Sequence, residues 1–117
     1  MSAEKKKIRA AFRDAVFARD GRRCKKCSAT VADYLRFLDA HHITDRNLMP
    51  NGGYVATNGI TLCPTCHEAA ELFHSTGAAP EGFSPDDLYK LIGSNYDLAV
   101  KDSNKLLTCQ LKKLSRS

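Results

Sequence analysis

The chain has 117 residues, a net charge of +5 and 43% hydrophobic residues, which is typical of one small folded domain or of one domain with a tail. No stretch is long and apolar enough to span a bilayer, and no apolar run follows the basic residues at the N-terminus. The sequence therefore predicts neither a membrane-spanning segment nor a secretory signal. We expect a cytoplasmic protein, in which thiols stay reduced.

The positive charge is concentrated at the N-terminal end of the chain. Residues 1–27 contain ten Lys and Arg against three acidic residues, a local charge of +7, whereas residues 28–117 contain eight basic and ten acidic residues, a local charge of −2. A basic N-terminal third indicates a phosphate-rich partner. A solvated helix face would give the same charge pattern, so charge alone leaves both interpretations open.

The first predicted element is an amphipathic helix over residues 4–21, EKKKIRAAFRDAVFARDG, which stops at Gly21. Its apolar stripe comprises Ile8, Ala11, Phe12, Ala15 and Val16. The segment YLRFLDAHH at 34–42 predicts a short strand around Tyr34, Phe37 and Leu38, and GITLC at 59–63 predicts a second strand. Because the turn residues of MPNGGY lie between them, the two strands predict a hairpin with a long connection.

Three further helices are predicted after the second strand. One spans PTCHEAAELFHSTG, with Pro64 in its first turn and Gly77 after its end. The next begins with Ser84 as N-cap and Pro85 at the first helical position, followed by Asp86 and Asp87. The last runs from about residue 102 to residue 114, and its apolar face comprises Leu106, Leu107, Leu111 and Leu114.

Four cysteines occur as two C-x-x-C pairs, Cys24 with Cys27 and Cys63 with Cys66. Two such pairs supply the four thiolates that a tetrahedral structural zinc requires, and a metal that closes the long intervening loop would stabilise a small core. Two disulfides and a redox dithiol are the alternatives. A reduced compartment disfavours the first, and a dithiol needs only one pair. The fifth cysteine, Cys109, is expected to fill space on the last helix.

The histidines are grouped near these cysteines in the sequence. His67 and Glu71 lie four residues apart and share one face of the predicted helix, so they could hold one ion between them, and His74 is a weaker ligand one turn further on. Such a pair is more often a hydrogen-bonded surface pair. A zinc ion bound by the four cysteines would make a metal-binding role more favourable, because it would tie the start of this helix to the segment that carries His41 and His42.

Residues Val16 to His74 resemble the HNH endonucleases, whose active site is a ββα-metal motif. The resemblance rests on VFARDGRRCKKC, DAHHI, NGGYVATNGITLCPTCH and the helix that follows, in this order, and the four cysteines resemble the zinc-containing branch of the family. It implies an α+β fold, in which a small ββα-metal core is stapled by a four-cysteine zinc site and flanked by N-terminal and C-terminal helices. We divide the chain into an HNH nuclease domain at 1–77, which includes the basic N-terminal helix, and a helical extension at 78–117.

The same resemblance implies roles for individual residues. His41 and His67 correspond to metal ligands, His42 to the general base, and Asn58 to the central Asn that steadies the loop and the base. Some members carry another His four residues after the last motif His, where this chain has Glu71. Either Glu71 or water therefore completes the shell. With Glu71 as a ligand we expect Mg²⁺ or Mn²⁺, and Zn²⁺ or Ni²⁺ are the alternatives.

These roles predict a hydrolase, a metal-dependent endonuclease that cleaves phosphodiester bonds of double-stranded DNA. Five cationic residues are expected to bind DNA phosphates, although each is also compatible with plain solvated surface: Arg22, Arg23, Lys25, Lys26 and Arg46. No recognition module stands out, so a protein partner could supply specificity. The alternative function is a zinc-stabilised nucleic-acid-binding module without catalysis. A redox protein built on C-x-x-C is a third hypothesis, which leaves the His pair unexplained.

Overall fold

A computed structural model describes residues 3–30 and 38–115, with side chains described for 5–30 and 38–106. The helices and strands follow the order α1 (Ala3–Asp20), β1 (Asp39–His42), β2 (Gly59–Leu62), α2 (Pro64–Thr76), α3 (Pro85–Leu91) and α4 (Tyr96–Ser115). The two strands are antiparallel, and their register pairs Asp39 with Leu62 and His42 with Gly59. Because α2 follows β2 at once, the predicted α+β class and ββα order are confirmed.

Helix α1 lies against the hairpin along a narrow apolar line. It ends at Asp20, and Gly21 has φ +68°, a conformation that favours glycine, so the predicted stop is confirmed. Phe12 and Val16 are buried. The predicted stripe is wrong at two positions, because Ala11 and Ala15 are exposed. The helix contacts a two-stranded sheet, which is too narrow to cover a broad stripe.

Polar contacts fix the C-terminal end of α1 to β2. Arg19 donates to the carbonyl oxygens of Ala56 and Gly59, each at 2.6 Å. The buried carboxylate of Asp20 accepts from the backbone N–H of Thr61 at 2.9 Å. A Cβ at Gly59 would lie 2.5 Å from Val16 Cγ2, so this close approach requires glycine.

The predicted hairpin is confirmed, and within the described residues its first strand is Asp39–His42. Tyr34 and Phe37 lie outside the described residues, and Leu38 is buried immediately before β1. The connection between the strands folds into three short 3₁₀ turns, at Arg46–Leu48, Pro50–Gly53 and Ala56–Asn58. This loop carries residues of the site described below.

Local signals place both ends of α2 and the start of α3 where the sequence predicts them. The thiol of Cys63 caps α2 by accepting from the Cys66 N–H, and Gly77 ends the helix at φ +80°. Ser84 Oγ accepts from the Asp87 N–H at 3.2 Å and caps α3. Each cap satisfies a backbone donor that the first turn of a helix leaves unpaired.

Helix α4 begins earlier than predicted, at Tyr96, because Asn95 Oδ1 accepts from the Leu98 N–H at 2.8 Å and so supplies an N-cap. Of its predicted apolar face, Leu106 is half-buried. The side chains of Leu107, Leu111 and Leu114, and that of Cys109, lie outside the described part of the chain.

Residues after position 77 pack on the preceding part of the chain. Helix α4 contacts the turns at Pro50–Gly53 and Ala56–Asn58, and Leu88, Tyr89 and Ala99 belong to the same buried cluster as Ile60. The division into 1–77 and 78–117 stays a prediction. None of the helices within residues 3–30 and 38–115 combines the length and hydropathy needed to cross a membrane.

Candidate functional site

The four paired cysteines come together, with their sulfur atoms all within 4.8 Å of one another. They form no disulfide. Cys27 Sγ and Cys63 Sγ lie 3.7 Å apart, which matches the separation of about 3.8 Å between sulfurs at the corners of a tetrahedron with Zn–S bonds of about 2.3 Å. The cluster is compatible with a structural zinc, as the sequence predicts.

A tight knuckle presents the first cysteine pair. The Cys24 N–H donates to the Ala29 carbonyl at 2.9 Å, and the Ser28 N–H donates to the Cys24 carbonyl at 2.8 Å, with Ser28 at φ +65°. Burial raises the pKa of the Cys27 thiol and that of the Cys66 thiol above the ordinary pKa of a cysteine. A metal must therefore displace protons from these thiols on binding.

A second group of potential ligands lies between β1 and α2. The ligand atoms of His41, Glu71 and His74 lie within 4.8 Å of one another. Both ring nitrogens of the buried His41 lack a hydrogen-bond partner among the described residues, although Nδ1 lies 3.2 Å from Glu71 Oε1 in an orientation outside hydrogen-bonding geometry. Buried polar atoms are normally satisfied, so an imidazole of this kind beside a carboxylate fits a metal ligand.

His67, the second predicted ligand, lies outside the group whose ligand atoms converge within 4.8 Å, but it contacts the same carboxylate oxygen. Its Nε2 lies 3.1 Å from Glu71 Oε1, and its Nδ1 lies 3.0 Å from Asp39 Oδ2. A carboxylate that holds one imidazole nitrogen orients the other toward a metal. Sequence reasoning missed Asp39, although its position two residues before His41 on the same strand face is a usable signal.

His42 lies on the other side of β1 from His41, under the side chains of α1 and the loop. Its ring stacks on Phe12 at a centroid distance of 4.5 Å, and the ring of Tyr54 meets it edge-on at 4.7 Å. His42 Nε2 is buried with no hydrogen-bond partner among the described residues. The His42 carbonyl lies 2.9 Å from His74 Nε2, which links the two sides of the strand.

Burial keeps both adjacent histidines neutral. It is the largest cause that lowers the pKa of His41 to about 3, with neighbouring imidazoles adding to it. Burial followed by the charge of Arg46 lowers the pKa of His42 to about 4. Both imidazoles are therefore uncharged at neutral pH, the form that binds a metal or accepts a proton.

Asn58 is fully buried and joins three segments. Its Oδ1 accepts from the Thr44 N–H at 3.0 Å and from the Tyr89 hydroxyl at 2.8 Å, and its Nδ2 donates to the carbonyls of Thr44 and Gly53. Four bonds satisfy this amide completely. Asn58 therefore fixes the chain that follows His42. Sequence reasoning missed Tyr89, which no local signal connects to Asn58.

One cavity of about 940 Å³ brings the histidines together with cationic side chains. His41, His42, His67, Glu71 and His74 all line it. Four cations from α1 and the loop also line it: Lys6, Arg9, Arg13 and Arg46. The three from α1 were missed individually, although the charge of residues 1–27 pointed to this end of the chain.

Of the five cations expected to bind phosphate, Arg46 lies in this cavity and the other four lie outside its lining. Lys26 lies over the Phe83 ring at 4.7 Å from its centroid, and Arg23 donates to the Ser28 carbonyl at 3.4 Å. Arg22 and Lys25 belong to the same knuckle, where the Lys25 N–H donates to the Thr61 carbonyl. Their proposed contacts to DNA stay predictions.

A family model described as HNH endonuclease matches residues 24–71, from the first knuckle cysteine to Glu71. No curated protein and no solved structure gives a significant match. The resemblance inferred from the motifs is confirmed over this segment, which includes the two cysteine pairs, His41, His42 and Asn58.

Proposed function

We propose that this chain, whose residues 24–71 match the HNH endonuclease family, hydrolyses phosphodiester bonds of double-stranded DNA with the help of a divalent metal ion. The observation that carries the proposal is the convergence of His41, Glu71 and His74 within 4.8 Å, in the cavity that His42 also lines. A nucleic-acid-binding module without catalysis has no need for this arrangement.

His41, His67 and Glu71 are the residues that would hold the ion. Glu71 Oε1 lies within 3.2 Å of a ring nitrogen of each histidine, so the carboxylate links the two imidazoles. His74, whose ligand atom lies within 4.8 Å of those of His41 and Glu71, is the alternative to His67 as a ligand. Mg²⁺ and Mn²⁺ suit the carboxylate, and Zn²⁺ and Ni²⁺ suit the imidazoles. When bound, such an ion stabilises the charge that develops on the phosphate and the leaving oxygen.

His42 would accept the proton of the attacking water. Its imidazole is neutral at pH 7 because its pKa lies near 4, and its ring is held between Phe12 and Tyr54. A fixed ring keeps the accepting nitrogen in one orientation, which reduces the entropy lost in reaching the transition state. The adjacent positions of His41 and His42 thus separate metal binding from proton transfer across the two faces of β1.

Asn58 would act as a positioning residue rather than by touching the substrate. It is fully buried, and its amide holds Thr44, two residues after His42, together with Gly53. Asp39 would have a similar role for His67, because it engages the ring nitrogen opposite the one that faces Glu71.

Cleavage of supercoiled plasmid tests the proposal. Zinc-loaded protein is incubated with Mg²⁺, Mn²⁺, Zn²⁺ or Ni²⁺, and a parallel sample receives chelator followed by fresh metal. We expect at least one ion to support relaxation or linearisation, and chelation to stop it reversibly. Elemental analysis should find a second ion for each chain beyond the zinc. Purified protein that leaves the plasmid intact with every ion would contradict the proposal.

A further inference from the structure

A second cavity, of about 480 Å³, adjoins the one that contains the histidines. Both are lined by Arg9 of α1 and by Arg46 and Tyr54 of the loop, which form their common wall. We call these three residues the clamp. The clamp lies where a bound chain that extends from the histidines into the second cavity would have to pass.

The clamp places two guanidinium groups beside one phenol, because Arg9, Arg46 and Tyr54 line both cavities. Arg46 and Arg9 both lower the pKa of the Tyr54 hydroxyl. Within the described part of the chain, no carboxylate lies within ion-pairing distance of either guanidinium. Two guanidinium groups in one wall and not paired with an acid suit a phosphate, which accepts several N–H bonds at once.

The loop sequence permits this arrangement. A Cβ at Gly52 would lie 2.6 Å from Tyr54 Cε2, and Gly52 has φ +81°, so glycine lets the phenol ring lie over the turn. Burial tends to raise the pKa of Tyr54, but the neighbouring Arg46 and Arg9 outweigh it and lower the pKa.

The position of the clamp distinguishes it from the place where a bond would be cleaved. The cleaved phosphate must reach both His42 and the ligand group around His41. Tyr54 meets His42 edge-on at 4.7 Å and also lines the second cavity, which none of the four histidines lines. The clamp therefore lies beyond His42 as seen from His41.

Cations and polar groups dominate the lining of the second cavity. Lys5 lines it together with the two clamp arginines, the amides of Asn47 and Asn51 contribute polar groups, and no acidic residue of the described chain contributes to it. The cavity with the histidines differs, because Asp39, Asp45 and Glu71 line it as well. An anionic strand is thus accommodated more readily in the second cavity.

We propose that Arg9 and Arg46 bind the phosphate next to the cleaved one in the same strand. The second cavity then receives a nucleoside attached to that neighbouring phosphate, either the one between the two phosphates or the one beyond them. This inference rests on the proposed nuclease function. It implies that a substrate with two consecutive phosphates is bound and cleaved far better than a diester with a single phosphate.

The test compares two substrates in Arg9→Gln and in a control, Lys7→Gln, which removes an exposed charge from the same helix outside both cavities. The substrates are a duplex oligonucleotide and bis(4-nitrophenyl) phosphate, which has one phosphate. Since a hydrogen-bonded charge pair contributes on the order of tenfold or more, Arg9→Gln should lower kcat/KM at least about tenfold more on the oligonucleotide. Equal losses on both substrates, or an oligonucleotide loss no larger than that of Lys7→Gln, would overturn the proposal.

A binding measurement separates this proposal from the nuclease function. Fluorescence anisotropy follows a labelled oligonucleotide binding to each variant over a range of salt concentrations, without cleavage. Loss of one phosphate contact should reduce the slope of log K against log salt by about 0.9 in Arg9→Gln and by less in Lys7→Gln. If the wild type cleaves neither substrate, the nuclease function fails. The phosphate site then stands or falls on this slope, and equal slopes in both variants would refute it.

Discussion

Replacing Tyr89 by phenylalanine tests whether α3 supports the site through a single hydroxyl. The Tyr89 side chain is 2% exposed, and its hydroxyl donates to Asn58 Oδ1 at 2.8 Å and lies 2.6 Å from Thr44 Oγ1. Phenylalanine keeps the packed ring and removes only these two contacts. The perturbation therefore reports on the hydrogen bonds rather than on a cavity.

The expected loss follows from the groups left behind. A net hydrogen bond contributes about 1 kcal/mol, and a buried acceptor or donor left unpaired costs about 1–3 kcal/mol. Asn58 Oδ1 keeps one donor, the Thr44 N–H, and Thr44 is only half-buried, so the lower part of that range applies. We expect Tyr89→Phe to lower the free energy of unfolding by about 1–2 kcal/mol, which corresponds to a fall in Tm on the order of 5 °C or more.

Thermal denaturation of zinc-loaded protein, followed by circular dichroism, measures this change. Tyr96→Phe is the matched control, since Tyr96 is 49% exposed at the start of α4, and its Tm should stay within about 1 °C of the wild type. We also expect Tyr89→Phe to reduce kcat of plasmid cleavage, because Asn58 fixes the loop after His42. Equal Tm values for the two variants would show that the Tyr89 hydroxyl does not stabilise the fold.

Three further predictions concern zinc, the loop and pH. Cys24→Ser should lose zinc and unfold, since metal binding is coupled to folding, and a variant that keeps its helical signal and zinc content would contradict this. Gly53→Ala should lower the Tm more than Gly77→Ala. Both glycines have positive φ, but only a Cβ at Gly53 would meet a side chain, 2.6 Å from Asn58 Nδ2. Similar Tm values for the two variants would count against the hydrogen-bond network of Asn58. The base acts in its neutral form, and the pKa of His42 is lowered to about 4. At saturating metal, kcat/KM should therefore fall only as the pH drops through about 4. A pH profile of kcat/KM with its midpoint near about 6.5 would instead show an unperturbed imidazole.

Elements with local signals were predictable from the sequence. Gly21, Gly77 and Ser84 mark helix ends because the backbone conformation or the capping hydroxyl is set by the residue itself. The cysteine pairs were predictable for a similar reason, since C-x-x-C spacing already places two thiols on one knuckle.

Contacts between distant segments were not predictable in the same way. Tyr89 meets Asn58 across 31 positions of sequence, and no periodicity or motif links α3 to the loop. The exposed Ala11 and Ala15 show the same limit, because helical spacing gives the apolar face but not the width of the sheet that covers it.

The cationic residues illustrate how chain topology decides which charges reach a site. Arg22, Arg23, Lys25 and Lys26 are adjacent to the zinc cysteines in sequence, yet they lie outside the lining of the cavity. Arg9 reaches it because α1 crosses the hairpin at His42, where Phe12 stacks on the imidazole. The net charge of residues 1–27 indicated which end of the chain supplies cations to the cavity, whereas only the packing of α1 shows that Arg9 is one of them.

We propose that His42 accepts a proton beside a metal held by the neighbouring His41. The most direct measurement is the rate at which His42→Ala relaxes supercoiled plasmid, with the metal content of the same sample determined in parallel. We expect a wild-type content of both ions, a thermal transition that is lowered by the lost ring packing but still cooperative, and no detectable relaxation. Relaxation at the wild-type rate would contradict the role of His42, and loss of the second ion would show that the ligand and base roles of the pair are reversed.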